Sequence, residues 1–169
     1  MPHIRPEQPA DLTAIHNVVE QAFQQAFSSF AEAALVDKLR ANGKAIVSLV
    51  AVEDDQIVGH ILFTEVTLGD ATIIGLAPVA VLPSHQKQGI GALLINAGIE
   101  ACRNAGYAAI VVLGHPDYYP RFGFVPASRF GIKSEYDVSD ETFMALELQP
   151  GALANCASVA KYQPEFNEV

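Results

Sequence analysis

PVAVLPSHQKQGIGA, residues 78–92, carries an apolar run into a glycine-rich turn and then into a helical pattern. Val79, Ala80, Val81 and Leu82 form a short apolar segment with two β-branched members, the composition of a buried strand. Pro83 ends its ladder because it has no N–H to donate. From Ile90 onward apolar side chains recur at Leu93, Leu94, Ala97 and Ala101, the three-and-four spacing of one helix face. The pattern predicts a helix starting near Gln88. Between strand and helix lies QKQGIG, in which two glycines let the backbone come close to a neighbour or ligand. The unpaired N–H groups of the helix start attract anions.

Two nucleotide-binding devices are excluded by the residues. A dinucleotide fingerprint needs Gly or Ala three positions after Gly91 and an acid about 20 residues on, but Leu94 stands at the first and no acid at the second. A P-loop needs a glycine five residues before Gly-Lys and a hydroxyl after it, whereas Gly43-Lys44 is preceded there by Lys38 and followed by Ala45. A tight strand-to-helix turn with no ligand is the simplest alternative. Gln86-x-x-Gly89-x-Gly91 resembles the pyrophosphate-binding signature of GNAT-type N-acetyltransferases, with Gln or Arg first and Gly or Ala last.

The chain surrounding this stretch has 169 residues, 50% of them hydrophobic, enough for one domain with its own core. Cys102 and Cys156 show no CxxC or His-rich spacing, so no disulfide framework or metal site is expected, and Cys102 reads as core. No run has the length of a membrane span and the N-terminus lacks a signal-peptide layout, so a cytoplasmic protein is expected. The net charge of −9 opposes binding to nucleic acid, which depends on Lys and Arg, and mildly favours a cationic substrate.

Taken in order, His3–Arg5 reads as a strand. Asp11 reads as the N-cap of a helix with Leu12, Ile15, Val19, Ala22 and Ala26 on its apolar face. Ser29 and Glu32 form a capping-box pattern for a second helix ending at Asn42-Gly43, and Phe23, Phe27 and Phe30 read as core. Residues 45–52 and 57–67 make a hairpin, and 72–82 a long strand in which Pro78 implies a bulge. Residues 108–113 form a strand that a helical crossover makes parallel to it. Segments near 130–133 and 142–148 read as closing strands, and the tail after Gly151 has no clear pattern.

A second anchor of the GNAT resemblance is Tyr119, four residues before Gly123-Phe124. The resemblance implies one α/β domain with a mixed, mostly antiparallel sheet, one parallel pair splayed at a bulge, and helices on both faces. It implies an acyltransferase moving acetyl from acetyl-CoA directly to an amine of a small molecule or protein. The alternative is a non-catalytic acyl-CoA-binding module. The partners expected are acetyl-CoA, as cosubstrate without metal, and an amine acceptor, with a homodimer admitted and nucleic acid and membrane excluded. Carried over by position, backbone groups of Val79, Ala80 and Val81 face the pantetheine and thioester. Gln86, Lys87, Gln88, Gly89, Ile90, Gly91 and Ala92 hold the pyrophosphate, and the Tyr119 hydroxyl lies near the sulfur, with Tyr118 one register away. His115-Pro116-Asp117 departs from the family, which often has Asn there. Glu65, His60 and His85 are base candidates by chemistry, but each reads first as a surface or structural residue and no base is assigned.

Overall fold

The computed structural model describes residues 2–27 and 31–168, with side chains within 2–25 and 31–167. Its strands are β1 His3–Pro6, β2 Val47–Glu53, β3 Gln56–Leu68, β4 Ala71–Val81, β5 Ala109–Leu113, β6 Val125–Pro126, β7 Lys133–Ser134, β8 Phe143–Glu147 and β9 Val159–Lys161. The helices are α1 Leu12–Phe27, α2 Ala31–Ala41 and α3 Ile90–Asn104. The chain forms two compact units, one of Met1–Phe63, Pro78–Gly98 and Pro164–Val169, the other of Thr64–Ala77 and Ile99–Gln163.

In the first unit β1, β2 and the start of β3 pair antiparallel, with Ile4 opposite Ala51 and Val50 opposite His60. Asp54 and Asp55 form the two-residue turn between β2 and β3, both at positive φ (51° and 62°), the primed geometry that matches strand twist. Apolar spacing in α1 buries Ile15, Val18, Val19 and Ala22, while Leu12 stays 38% exposed at the helix start. Asp11 is not the α1 N-cap. It closes a 3-10 turn, Pro9–Asp11, and its carboxylate accepts from the Gln8 N–H at 2.7 Å and from Arg5 at 2.7 Å. Burial opposes the Asp11 charge, but the Arg5 hydrogen bond dominates and holds the pKa below the ordinary value. Ser29, Phe30 and the Phe27 side chain, and with them the capping box, lie outside the described residues.

α3 starts at Ile90, two residues later than the apolar pattern suggests, because left-handed backbone at Lys87 and Gly89 holds the turn open until then. Its buried face runs through Ile90, Leu94, Ile95, Ile99 and Cys102 and not through Leu93, Ala97 and Ala101, which are half-buried. Gly98 sets this rotation. A Cβ there would lie 2.4 Å from Phe63 Cε1, so the helix presses its glycine against that ring. Likewise a Cβ on Gly59 would meet Leu94 Cδ1 at 2.9 Å and the Ala80 carbonyl at 3.3 Å, so this glycine seats α3 against β3 and β4.

The second unit carries the order β3-β4-β5-β8-β6. β4 and β5 are parallel, as the crossover requires, pairing Ile74, Gly75 and Leu76 with Ile110, Val111 and Val112. The pairing stops at Leu76, before Pro78. β8 runs antiparallel to β5, from Ala109 opposite Glu147 to Leu113 opposite Phe143. The segment at 130–133 starts at the end of a 3-10 turn, Ala127–Phe130, and only its last residue joins a strand, Lys133–Ser134, because Gly131 at φ +73° breaks the extended chain. The tail contributes β9, which pairs parallel with β7 and antiparallel with β3. Gly75 makes room for it, since a Cβ there would lie 2.9 Å from the Tyr162 ring. The chain end, in the first unit, is held by Glu165, whose carboxylate accepts from Lys44 at 2.8 Å and Asn42 at 2.7 Å and is drawn down to about 2 chiefly by Lys44.

Candidate active site

The sequence-predicted site residues fall in both units. In the first, the Leu82 N–H donates to the Val58 carbonyl at 2.8 Å, fixing the end of β4 before the chain leaves in a 3-10 turn, Pro83–His85. The Gln86 side-chain amide donates back to the Val81 carbonyl at 3.1 Å. The signature glutamine thus ties the turn to the strand end, bringing Val79–Val81 and Gln86–Ala92 into one local structure. Lys87 and Gly89 follow at φ +64° and +82°. Left-handed backbone in a turn directs N–H groups into an anion-binding concavity, and for Lys87 it carries a cost of about 1 to 2 kcal/mol that only glycine avoids. No atom outside its immediate neighbours lies within 4 Å of a Cβ placed on Gly89. The first helical bond runs from the Leu93 N–H to the Gly89 carbonyl at 3.1 Å, so the N–H groups of Ile90, Gly91 and Ala92 have no intrahelical acceptor. Ile90 is buried and anchors this end, while Gln86 to Gly89 are exposed. An exposed concavity of N–H groups with Lys87 beside it fits a phosphate group.

His85 sits at the edge of the turn with both ring nitrogens engaged, Nε2 3.3 Å from Glu53 and Nδ1 2.8 Å from the Ser84 hydroxyl. Glu65, in the second unit, accepts from the Tyr107 hydroxyl at 2.6 Å, and its backbone carbonyl accepts from the Gln163 amide at 2.9 Å. Burial, and then Glu65, push the Tyr107 phenol up to about 12. Both base candidates are tethers in their own units.

His60 is fully buried in a network that sequence patterning does not reveal. Its Nε2 lies 2.8 Å from the Ser48 hydroxyl, which donates to Glu7, and Glu7 in turn accepts from Arg40 at 2.8 and 2.9 Å. With Ser48 committed to Glu7, the His60 Nε2–H donates and Nδ1 is left without a partner. Burial opposes the Glu7 charge, but His60, its Nε2 3.8 Å away, and hydrogen bonds from Arg40 and Ser48 hold the pKa far below the ordinary value. Burial lowers the His60 pKa against the pull of Glu7. The unfolded chain takes a proton on this histidine near pH 6.5, and the folded chain does so only at lower pH. Below about pH 6.5, therefore, the unfolded state binds more protons and stability falls as pH falls, by up to about 1.4 kcal/mol per pH unit. Glu7 adds loss of stability only at lower pH, as its carboxylate takes a proton. Denaturant melts at pH 7 and 5.5 should show this extra loss in the parent and not in His60→Gln. Equal slopes would show that His60 is charged in the fold.

In the second unit, Tyr119 opens a 3-10 turn, Tyr119–Phe122, that Gly123 closes at φ +100°, its N–H donating to the Pro120 carbonyl at 3.0 Å. The His115 carbonyl accepts from the Tyr118 and Tyr119 N–H groups at 3.1 and 3.4 Å, so the departure from the family at 115–117 still folds the turn. The spacing of Tyr119 to Gly123-Phe124 has a packing basis. The turn brings the Tyr119 ring edge-on to Phe124 with centroids 5.7 Å apart, and Phe124 is buried. Gly114 supplies the opposite wall, since a Cβ there would lie 2.3 Å from Tyr119 Cε2. Tyr119 is 7% exposed, and burial, then Tyr118, push its phenol up to about 12. Tyr118 is half-buried under the Arg121 guanidinium, 4.5 Å above its ring.

A family model described as the Acetyltransferase (GNAT) family matches residues 12–124. The chain belongs to that family. It is 33% identical over 167 residues to the uncharacterised N-acetyltransferase YhbS of Escherichia coli strain K12, covering 97% of this chain and 98% of YhbS. Among solved structures this GNAT chain is similar to E. coli YhbS in complex with CoA, with TM-score 0.90, 31% identity and coverage of 98% of this chain and 92% of that one. It is also similar to a GNAT family acetyltransferase from Brucella melitensis in complex with acetyl-CoA, with TM-score 0.83, 38% identity and 98% of each chain covered. No helix among the described residues is long and apolar enough to cross a membrane, and they hold no group of three or more His, Cys, Asp and Glu suited to a metal.

Proposed function

We propose that this GNAT chain is an N-acetyltransferase that moves an acetyl group from acetyl-CoA to an amine. The observation carrying this reading is the open turn at Lys87–Gly89, with left-handed backbone at both ends and the unpaired N–H groups of α3 behind it. Acetyl-CoA supplies the acetyl group as a thioester. Residues Gln86 to Ala92 bind its pyrophosphate through backbone N–H groups, and Lys87 adds charge. Backbone groups of Val79 to Val81 line the pantetheine. The acceptor amine must lose its proton to attack, and the departing sulfur must be stabilised.

Tyr119 serves as the hydroxyl donor to that sulfur. With its phenol near 12 it stays protonated, and against a thiol near 8.5 full proton transfer is uphill by about 5 kcal/mol. Its role is therefore a hydrogen bond that strengthens as charge develops. Incubating the protein with acetyl-CoA and a panel of amines should release free thiol at a rate that rises with an acceptor. A protein that binds acetyl-CoA but releases no thiol with any amine would instead be a binding module.

A further inference from the structure

The second unit contains a cavity of about 370 Å³ among the turns between β6 and β8, within the range of small-molecule sites. Its wall carries one acid, Asp140, one base, Lys133, the Tyr136 side chain, and apolar surface from Ile132 and Phe143. The Ser128 hydroxyl donates to Asp140 Oδ2 at 2.9 Å and fixes that carboxylate on the wall. Lys133 is exposed and has no ion-pair partner among the described residues. A ligand matching both charges carries an ammonium for Asp140 and a carboxylate for Lys133.

The cavity adjoins the segment that holds Tyr119. Phe143 pairs with Leu113, and the Gly114 N–H donates to the Thr142 carbonyl at 2.9 Å. Gly114 is the residue against which the Tyr119 ring packs. The Tyr136 ring lies 6.1 Å from the ring of Tyr162.

An ammonium held on a carboxylate is stabilised in its protonated form and is not the nucleophile. The reacting nitrogen must then be a second amine on the same molecule, which gives it net positive charge and suits a chain of net charge −9. We propose that this cavity is the acceptor site and takes a diamino acid, with its α-ammonium on Asp140, its α-carboxylate on Lys133 and its distal amine as the acetyl acceptor. This rests on the transferase reading above. In the reaction the distal ammonium first gives up a proton to water. Its nitrogen then attacks the thioester carbonyl, a C–N bond forms as the C–S bond breaks, the nitrogen sheds a second proton to water to become the neutral amide, and the thiolate leaves to be protonated by solvent.

The test measures calorimetric binding of lysine, ornithine and cadaverine to the full chain, with thiol release from acetyl-CoA read in parallel. Lys133→Met should weaken lysine and ornithine about ten-fold or more and leave cadaverine, which lacks the carboxylate, unchanged. Asp140→Asn keeps an acceptor for Ser128 and should weaken all three. Binding of the diamino acids unaffected by either variant overturns the site, as does no binding at millimolar concentration. Thiol release with other amines that neither variant alters overturns the site while the transferase reading stands. Variant-sensitive binding of lysine without thiol release supports the site and overturns the transferase reading.

Discussion

Tyr119→Phe is expected to lower turnover about ten-fold to a hundred-fold while acetyl-CoA affinity stays within about two-fold. The substitution keeps the ring, so the edge-on contact with Phe124 and the packing on Gly114 survive. What it removes is one hydrogen bond to a sulfur that gains charge as the acetyl group leaves. Such a bond to a charged group is worth about 1.5 to 3 kcal/mol, and it acts on the transition state more than on bound substrate. The phenol, pushed up to about 12 by burial, does not ionise in the assay range. The ratio of variant to parent rates should therefore be flat between about pH 7 and 10, whereas a phenol that ionised would give a ratio that changes across it. Tyr118→Phe is the register control, since Tyr118 is half-buried and its ring faces Arg121. Full parental turnover in Tyr119→Phe with chemistry rate-limiting would remove the hydroxyl from the reaction, and a loss confined to Tyr118→Phe would move the role by one residue.

How much of this was legible in the sequence follows from what each signal depends on. The β4-turn-α3 unit was readable because its determinants are local: a β-branched run, a proline without an N–H, and glycines at the turn. The parallel pairing of β4 and β5 followed from chain topology alone. The face that α3 buries is turned from the one its apolar residues suggest, because Gly98 offers no side chain for a periodic pattern to count, and its missing side chain is what admits Phe63. The tail could not be placed because it is held by non-local partners, Gly75 making room for Tyr162 and Lys44 pairing with Glu165. The same holds for His60, whose polar character gave no hint that Ser48, Glu7 and Arg40 would converge on it from β2, the chain after β1 and α2. The cavity between β6 and β8 is built from short turns whose hydrogen bonds, such as Ser128 to Asp140, join residues with no periodic relation.

Gly89→Val should weaken acetyl-CoA binding about ten-fold or more, and the control that makes this informative is another glycine. Gly43, after α2, is also left-handed, at φ +72°, and a Cβ there meets nothing within 4 Å, the same description that holds for Gly89. Valine at either position therefore meets no clash. It does meet the backbone penalty of a β-branched residue at positive φ, about 1 to 2 kcal/mol, which the chain relieves by leaving that region. At Gly43 the relief disturbs the helix end, where the Gly43 N–H donates to the Arg40 carbonyl at 3.0 Å, and its readout is stability. At Gly89 it rotates the peptide N–H groups that the Lys87–Gly89 turn directs outward, and each charge-assisted bond lost to a phosphate is worth about 1.5 to 3 kcal/mol. Calorimetry should therefore separate the pair: comparable losses of stability, with the affinity loss confined to Gly89→Val. Gly91 lies inside α3 with ordinary helical backbone, so Gly91→Val tests close approach of the ligand rather than turn geometry. Equal acetyl-CoA affinity in the parent, Gly43→Val and Gly89→Val would show that the turn at Lys87–Gly89 does not hold the pyrophosphate.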